Sequence, residues 1–148
     1  MNDPDLDILT LAQQGFCCSQ IILHLALDLQ GVENPGLLRA MSGLCNGFFS
    51  PKGTCGAFTG ATCLLAYYGG KGSGREEASD KLPLMQSELA TWFEEWATAR
   101  HGGIACSDIV SGGAPDLHIC GGLVSACYGQ AMAILVANGF DPADPLRR

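Results

Sequence analysis

The segment Gly53-Thr54-Cys55-Gly56-Ala57-Phe58-Thr59-Gly60 places a cysteine where a glycine-bearing loop becomes a helix. At a helix start the backbone N–H groups lack intrahelical partners and the helix dipole is positive, and both effects favour the thiolate form of a cysteine. Thr54 is the expected N-cap residue. Gly56 and Gly60 remove side chains from one face of the predicted helix, so a second backbone can approach it closely. The segment therefore predicts a reactive Cys55 thiol beside a second thiol.

Length and composition limit the class of protein. The chain has 148 residues, of which 47% are hydrophobic, and this fits one globular domain over residues 1–148. The formal net charge is -7, and a field of that sign repels phosphate backbones. We therefore expect no nucleic-acid partner.

The first residues, Met1 to Asp7, contain no basic segment followed by a long apolar stretch. This favours a cytoplasmic protein without a signal peptide. In that compartment, the eight cysteines argue against a static disulfide framework. They favour metal binding or catalytic thiol chemistry, with core packing as the explanation for some of them.

The stretch 119–140 carries no charged residue and is long enough to span a membrane. Three glycines and several polar residues dilute its hydrophobicity. We therefore expect a helix in the core or at a dimer interface rather than a membrane span. The number of apolar helices in a small domain also predicts a homodimer.

Apolar residues recur at helical spacing along most of the chain, and no segment alternates with period two. The predicted fold is therefore all-α, a compact bundle of about six helices. The predicted helices are 5–14, 18–31, 35–44, 55–69, 79–101 and 120–136, with a short helical turn at 106–110, loops at 43–53 and 112–115, and a connector at 69–74.

The cysteine spacing contains no C-x-x-C pair, which excludes zinc ribbons, ferredoxin-type runs, thioredoxin motifs and haem attachment. Any shared site must be assembled by the fold. Cys18, Cys55, Cys106 and Cys120 fall at or near predicted helix starts, where converging N-termini would stabilise negative charge on sulfur. Residues 34–75 contain four basic and no acidic residues, which also favours a Cys55 thiolate.

The other four cysteines carry weaker signals. Cys63 and Cys127 lie too far along their helices from Cys55 and Cys120 for a direct disulfide, and we expect them in the core. Cys17 shares a helical face with His24, which we expect to be a core histidine rather than a ligand. Cys45 is the best candidate for a fifth functional thiol.

Four segments in order resemble the C_GCAxxG_C_C family, which is named for its cysteine pattern. They are Gly15-Phe16-Cys17-Cys18-Ser19-Gln20, Thr54-Cys55-Gly56-Ala57-Phe58-Thr59-Gly60, Gly103-Ile104-Ala105-Cys106-Ser107-Asp108-Ile109-Val110, and Cys120 before the last helix. The resemblance implies a small helical protein whose four cysteines are redox-active or hold a metal centre. It implies no defined reaction or substrate.

Three functions fit these observations. The first is a dithiol/disulfide redox protein in which Cys55 attacks and a neighbouring cysteine resolves, in exchange with a redox partner protein. The second is a metal-binding module, with zinc or an Fe–S cluster held by Cys18, Cys55, Cys106 and Cys120. The third is a structural or partner-binding helical protein whose cysteines mostly serve packing. We favour the first, because a redox pair needs two sulfurs to meet and a metal site needs four.

Overall fold

The structure is a computed structural model that describes residues 3–48, 52–110 and 116–144. Helices dominate these ranges and no strand is assigned in them, so the predicted all-α fold is confirmed. Six helices have seven residues or more: α1 Pro4–Gln13, α2 Cys18–Gln30, α3 Pro35–Met41, α5 Gly56–Gly69, α6 Leu82–His101 and α8 Leu117–Ala137. The shorter elements are a 3₁₀ turn at Ser42–Leu44, α4 Cys45–Phe48 and α7 Cys106–Ile109.

The helix ends follow ordinary capping chemistry. The Asn34 side chain accepts a hydrogen bond from the backbone N–H of Leu37 at 3.0 Å, and proline follows Asn34 at the first position of α3. Asp116 caps α8 in the same way. Gly31 and Gly102 end α2 and α6 in the left-handed conformation, which glycine adopts at little cost.

Helix α2 packs most closely on α5, and Gly60 permits that approach. A Cβ atom on Gly60 would lie 2.8 Å from the Ser19 Cα atom, so only glycine fits there. The predicted approach of a second backbone to this glycine face is therefore confirmed. Behind the contact, Leu23 and Leu64 are fully buried, and burial of each such side chain contributes about 1.5–3 kcal/mol.

The aromatic residues of α6 close one side of the core. Phe93 is fully buried and stacks on Phe58 of α5 with ring centroids 4.7 Å apart. Trp92 and Trp96 are partly buried beside it, as expected for a core stripe. The helix begins at Leu82, three residues later than predicted, because residues 79–81 form a turn in which the Ser79 hydroxyl accepts the Lys81 N–H at 3.2 Å.

Helix α8 is long and apolar enough, by length and composition, to cross a membrane. One of its faces, which includes Leu123, Cys127 and Leu135, is buried in the core of the bundle. Other positions, such as Val136, are exposed. The absence of a membrane partner and the homodimer remain predictions.

Two local predictions were wrong. Thr54 does not cap α5; it forms an isolated antiparallel bridge with Ala105, and Cys55 takes the N-cap position. His24 is not a core residue, because it is only partly buried and its Nδ1 lies 3.0 Å from a carboxylate oxygen of Asp28. The loop predicted at 112–115 lies outside the described residues.

The loop predicted at 43–53 contains regular turns in its described part. After the 3₁₀ turn, three consecutive residues adopt the left-handed conformation: Asn46 at φ 53°, Gly47 at φ 66° and Phe48 at φ 64°. Only glycine adopts such angles without cost. These left-handed residues follow Cys45 directly, and they turn the chain toward Cys55.

Candidate functional site

Four cysteines from four separate segments line one small cavity. Cys18 opens α2, Cys55 immediately precedes α5, Cys106 opens α7 and Cys120 lies in the first turns of α8. The cavity holds about 20 Å³, which is room for one water molecule or ion rather than for an organic substrate. The structure thus brings together the four cysteines that the sequence pattern singled out.

Backbone hydrogen bonds hold two of these helix starts side by side. The Cys55 N–H donates to the Ile104 carbonyl at 2.9 Å, and the Cys106 N–H donates to the Gly53 carbonyl at 2.8 Å. These bonds flank the Thr54–Ala105 bridge. They fix Cys55 and Cys106 on the same cavity, although 50 residues separate them in the chain.

The Cys18 sulfur lies directly over Gly56. A Cβ atom at Gly56 would be 2.5 Å from the Cys18 Sγ and 2.9 Å from the Leu44 carbonyl oxygen. The Asn46 backbone N–H approaches the same thiol from the left-handed segment and lowers its pKa. Gly56 is therefore required for the position of Cys18 and not only for helix initiation.

Cys120 does not sit at a helix start, contrary to the sequence prediction. Because Asp116 caps α8, the helix begins at Leu117, and the Cys120 N–H donates to the Asp116 carbonyl at 2.8 Å. That N–H is already used inside the helix. Only three of the four cysteines therefore lie at helix N-termini.

The predicted Cys55 thiolate is contradicted. Burial raises the pKa of the Cys55 thiol to about 12; the N–H of Ala57 opposes the shift, and the neighbouring Cys18 thiol adds to it. Burial likewise raises the pKa of Cys18, Cys106 and Cys120. The loss of solvation outweighs the helix N-terminus. The basic residues of the segment, including Lys52, are exposed and therefore screened by water.

Cys17 and Cys45 form a disulfide, with their Cα atoms 5.8 Å apart. This corrects two expectations: the cysteines are not free of static disulfides, and Cys45 is not a free thiol in this state. Cys17 precedes the first residue of α2 and Cys18 is that residue, so the two side chains leave the backbone in different directions. The pairing had no signal in the spacing, because the turn after α3 brings Cys45 back to α2.

Cys63 and Cys127 lie outside the cavity wall. Cys127 is fully buried, as predicted, and Cys63 is partly buried against the core. Burial raises the pKa of Cys127 well above its ordinary value, and the thiols of Cys55 and Cys18 raise it further. Cys127 is thus a fifth thiol near the cavity. Its spacing of seven residues from Cys120, two helical turns, was the signal that could have indicated it.

An open groove of about 380 Å³ reaches this site between α1, α2 and α8. Cys17, Cys18 and Cys120 all line it, so the groove borders both the disulfide and two of the four thiols. A larger space of about 550 Å³ between α1 and α8 is lined by no cysteine. The groove, rather than the larger space, gives access to the thiol chemistry.

The geometry does not fit a metal centre. Thiolates are suitable ligands for zinc and iron, but among the described residues no group of three or more His, Cys, Asp or Glu side chains is arranged to hold an ion. The four thiols share a cavity without converging on one point at ligand distance.

The chain was compared with families of known proteins, with curated proteins and with solved structures. The family model described as putative redox-active protein, C_GCAxxG_C_C, matches residues 16–134, which include all four cavity cysteines. No curated protein and no solved structure matches the chain. The match covers most of the sequence, and the chain belongs to the C_GCAxxG_C_C family of putative redox-active proteins.

Proposed function

We propose that the protein is a thiol/disulfide oxidoreductase in which Cys18 attacks a disulfide bound in the groove and Cys55 resolves the intermediate. The observation that carries the proposal is the position of Cys18, which lines both the groove and the small cavity and whose Sγ lies over Gly56, next to Cys55. A substrate can reach this thiol from one side. A second thiol can reach it from the other.

Cys18 is better placed to attack than its neighbours. Burial raises the pKa of the Cys18 thiol, but the backbone N–H groups of Asn46 and Ser19 oppose this shift and stabilise a developing thiolate. Cys120 also borders both the groove and the cavity; burial raises its pKa, a backbone hydrogen bond from Asp116 lowers it, and the Asp116 carboxylate raises it by a smaller amount. Cys55 is 6% exposed and absent from the groove wall. The Cys18 Sγ lies over Gly56, the residue next to Cys55, which favours Cys18 over Cys120 as the attacking thiol, and the absence of Cys55 from the groove wall favours Cys55 as the resolving thiol.

The reaction conserves atoms and electrons. Cys18 loses its proton and attacks one sulfur of the substrate disulfide, which forms a mixed disulfide and releases the first product thiol. Cys55 then loses its proton and attacks the Cys18 sulfur, which releases the second product thiol. The substrate gains two electrons and two protons, and a Cys18–Cys55 disulfide remains. A dithiol redox partner protein restores both thiols by the reverse exchange.

The high pKa of Cys55 is compatible with resolution. A thiol held beside the bond that it attacks reacts at a high effective concentration, which compensates for a small thiolate fraction. The high pKa also keeps Cys55 protonated and unreactive until the mixed disulfide forms. We therefore expect slow alkylation of Cys55 at neutral pH and a rate that rises with pH toward about 12.

The test is to trap the intermediate in a Cys55→Ser variant. Treated with a small aromatic disulfide, this variant should accumulate a mixed disulfide on Cys18, found in the tryptic peptide 1–39. The wild type should instead form a bond between peptides 1–39 and 53–71. Cys63→Ser, which alters the same helix outside the cavity, should behave like the wild type.

Two results would contradict the proposal. One is a Cys55→Ser variant that accumulates no Cys18 adduct while Cys120 does. The other is stoichiometric zinc or iron in protein purified without oxygen, lost in the Cys55→Ser variant, which would support the metal-binding function instead. Metal analysis and a thiol count before and after reduction separate these outcomes.

A further inference from the structure

The Cys17–Cys45 disulfide borders the groove but takes no part in the reaction proposed above. Cys17 is partly exposed and lines the groove, whereas Cys45 is 5% exposed and does not. A reagent in the groove therefore meets only one of the two sulfurs. Thiol exchange is directional at such a bond, because the accessible sulfur is attacked and the buried one leaves.

A buried hydroxyl lies against both sulfurs. The Ser19 Oγ is 3.2 Å from the Cys17 Sγ and 3.9 Å from the Cys45 Sγ, and it donates to the Met41 carbonyl at 2.9 Å. Ser19 is fully buried, so water does not compete for this hydroxyl. A hydroxyl rotates about its C–O bond and can turn toward a sulfur that gains negative charge. It is placed to stabilise a thiolate leaving from either cysteine.

The N-terminus of α2 also favours departure of the Cys17 thiolate. Cys17 is the N-cap residue of this 13-residue helix, next to backbone N–H groups without intrahelical partners. Such groups stabilise a thiolate, and a more stable thiolate is a better leaving group. The disulfide therefore combines one accessible sulfur, a buried donor and a helix N-terminus.

We propose that Cys17–Cys45 is a second exchange site, at which an uncharged low-molecular-weight thiol enters the groove and attacks Cys17. The proposal goes beyond the reaction at Cys18 and does not depend on it. The groove volume of about 380 Å³ is that of a small-molecule site. Its wall is largely apolar, and Asp116 is the one charged residue among the described residues that form it. This carboxylate and the net charge of -7 disfavour anionic thiols.

The exchange consumes two equivalents of thiol. The thiolate of the first attacks the Cys17 Sγ, the Cys17–Cys45 bond breaks, and Cys45 leaves as a thiolate that takes up a proton. The second thiolate attacks the added sulfur, Cys17 leaves as a thiolate and is protonated, and the two reagent sulfurs form a disulfide. The small thiols lose two electrons and two protons, which Cys17 and Cys45 gain.

The full-length protein, purified without reductant, provides the test. Its disulfide joins tryptic peptides 1–39 and 40–52, and loss of this linked species measures the reaction. The probes are 2-mercaptoethanol and its anionic analogue 2-mercaptoethanesulfonate. The rate at which each thiol reduces the protein disulfide is divided by the rate at which the same thiol reacts with hydroxyethyl disulfide, which corrects for its intrinsic reactivity. We expect the uncharged thiol to react at least about threefold faster after this correction, and Asp116→Asn, which retains a good N-cap, to reduce the preference.

Two glycines of α8 provide a matched pair of blocking variants. A Cβ atom at Gly121 or at Gly129 meets nothing within 4 Å, so both positions accept a side chain, but only Gly121 lines the groove. Gly121→Leu should slow loss of the linked peptides at least about fivefold, and Gly129→Leu should leave it unchanged. Unaltered helical circular dichroism in both variants shows that folding is retained.

The attacked sulfur is identified in a Cys18→Ser background, which removes the nucleophile of the first reaction. With hydroxyethyl disulfide, the additional Cys45→Ser change should give an adduct on Cys17, and the additional Cys17→Ser change should leave Cys45 unmodified. Absence of the linked peptides from purified protein would overturn the proposal. So would equal rates for Gly121→Leu and Gly129→Leu, or equal corrected rates for the two thiols. None of these results bears on Cys18.

Discussion

Cys17 and Cys18 are adjacent in the chain but belong to two different sulfur sites. Cys17 is bonded to Cys45 beside the open groove, whereas Cys18 shares the small cavity with three free thiols. The bonded sulfurs do not titrate, and burial raises the pKa of every thiol on the cavity wall. The start of α2 therefore contributes to two sulfur sites at once: Cys17 forms the disulfide with Cys45, and the next residue, Cys18, contributes a free thiol to the cavity.

The two sites also meet through the segment after Cys45. Cys45 ties this segment to α2, and the next residue, Asn46, directs its N–H to Cys18 and lines both the cavity and the groove. The disulfide therefore fixes one wall of the cavity without contributing a sulfur to it. Loss of the disulfide should therefore change the surroundings of Cys18 through Asn46.

The largest expected effect is loss of the disulfide. The cysteines are 28 residues apart, and the loop-closure relation assigns such a bond about 3.6 kcal/mol of stability. Cys17→Ser with Cys45→Ser should lower the free energy of unfolding by about that amount in urea titrations without reductant. Wild-type protein in reductant should match the double variant.

Cys63→Ser is the control for this first comparison, because Cys63 is free, partly buried and remote from both sulfur sites. It should change stability by less than about 1 kcal/mol. An oxidised wild type no more stable than the Cys17→Ser, Cys45→Ser variant would show that the disulfide does not support the fold.

The next effect concerns the contact that holds both sites in place. Gly60→Ala puts a Cβ atom against the Ser19 Cα, and because backbone cannot move as a side-chain end does, we expect a loss of about 1–3 kcal/mol. Gly129→Ala, at an open position of α8, should instead gain about 0.5–1 kcal/mol. Equal effects of the two changes, measured by thermal unfolding, would contradict the close packing of α2 on α5.

The sequence was sufficient for the helices because their signals are local. Asn34 with Pro35 marked the start of α3, Gly31 marked the end of α2, and Gly60 indicated a close approach. Such caps and small residues act through hydrogen bonds and contacts within a few positions. The same reasoning placed the start of α8 too late, because the acidic cap at Asp116 was overlooked.

The sulfur sites were only partly predictable, for a different physical reason. The four cavity cysteines carried a pattern, but the pairing of Cys17 with Cys45 depends on the turn after α3, which brings together two residues 28 positions apart and which the spacing of the cysteines does not indicate. The thiolate expected at Cys55 failed because the sequence shows the helix start but not the burial. Desolvation is a property of the assembled core, and here it outweighs the backbone N–H groups.

The two sulfur sites should contribute differently to the pH dependence of the free energy of unfolding. Because the folded pKa of Cys55, about 12, exceeds its ordinary value of 9.0, the neutral thiol stabilises the fold below about pH 9, and this contribution is lost as pH rises toward 12. Each such group lowers stability by at most about 1.4 kcal/mol per pH unit. Cys55→Ser should therefore flatten the fall in stability measured between about pH 9 and 10. Cys17→Ser with Cys45→Ser should lower the curve but keep the part of its fall that Cys55→Ser removes, and loss of that part would contradict the assignment.

The smallest effect tests whether the disulfide holds the left-handed segment in place. Phe48 is 49% exposed and adopts φ 64°, which costs a side-chain-bearing residue free energy that glycine does not pay. Phe48→Gly should therefore stabilise the oxidised protein by about 0.5–1 kcal/mol despite the lost apolar contact. Val136→Gly, an exposed apolar position inside α8, should destabilise it by about 1 kcal/mol, which controls for the flexibility of glycine. When Cys17 and Cys45 are both serine, the segment is free to relax, and the gain from Phe48→Gly should shrink toward zero in a double-mutant cycle. An equal gain with and without the disulfide would mean that the strain belongs to the turn alone and that the two sulfur sites are mechanically independent.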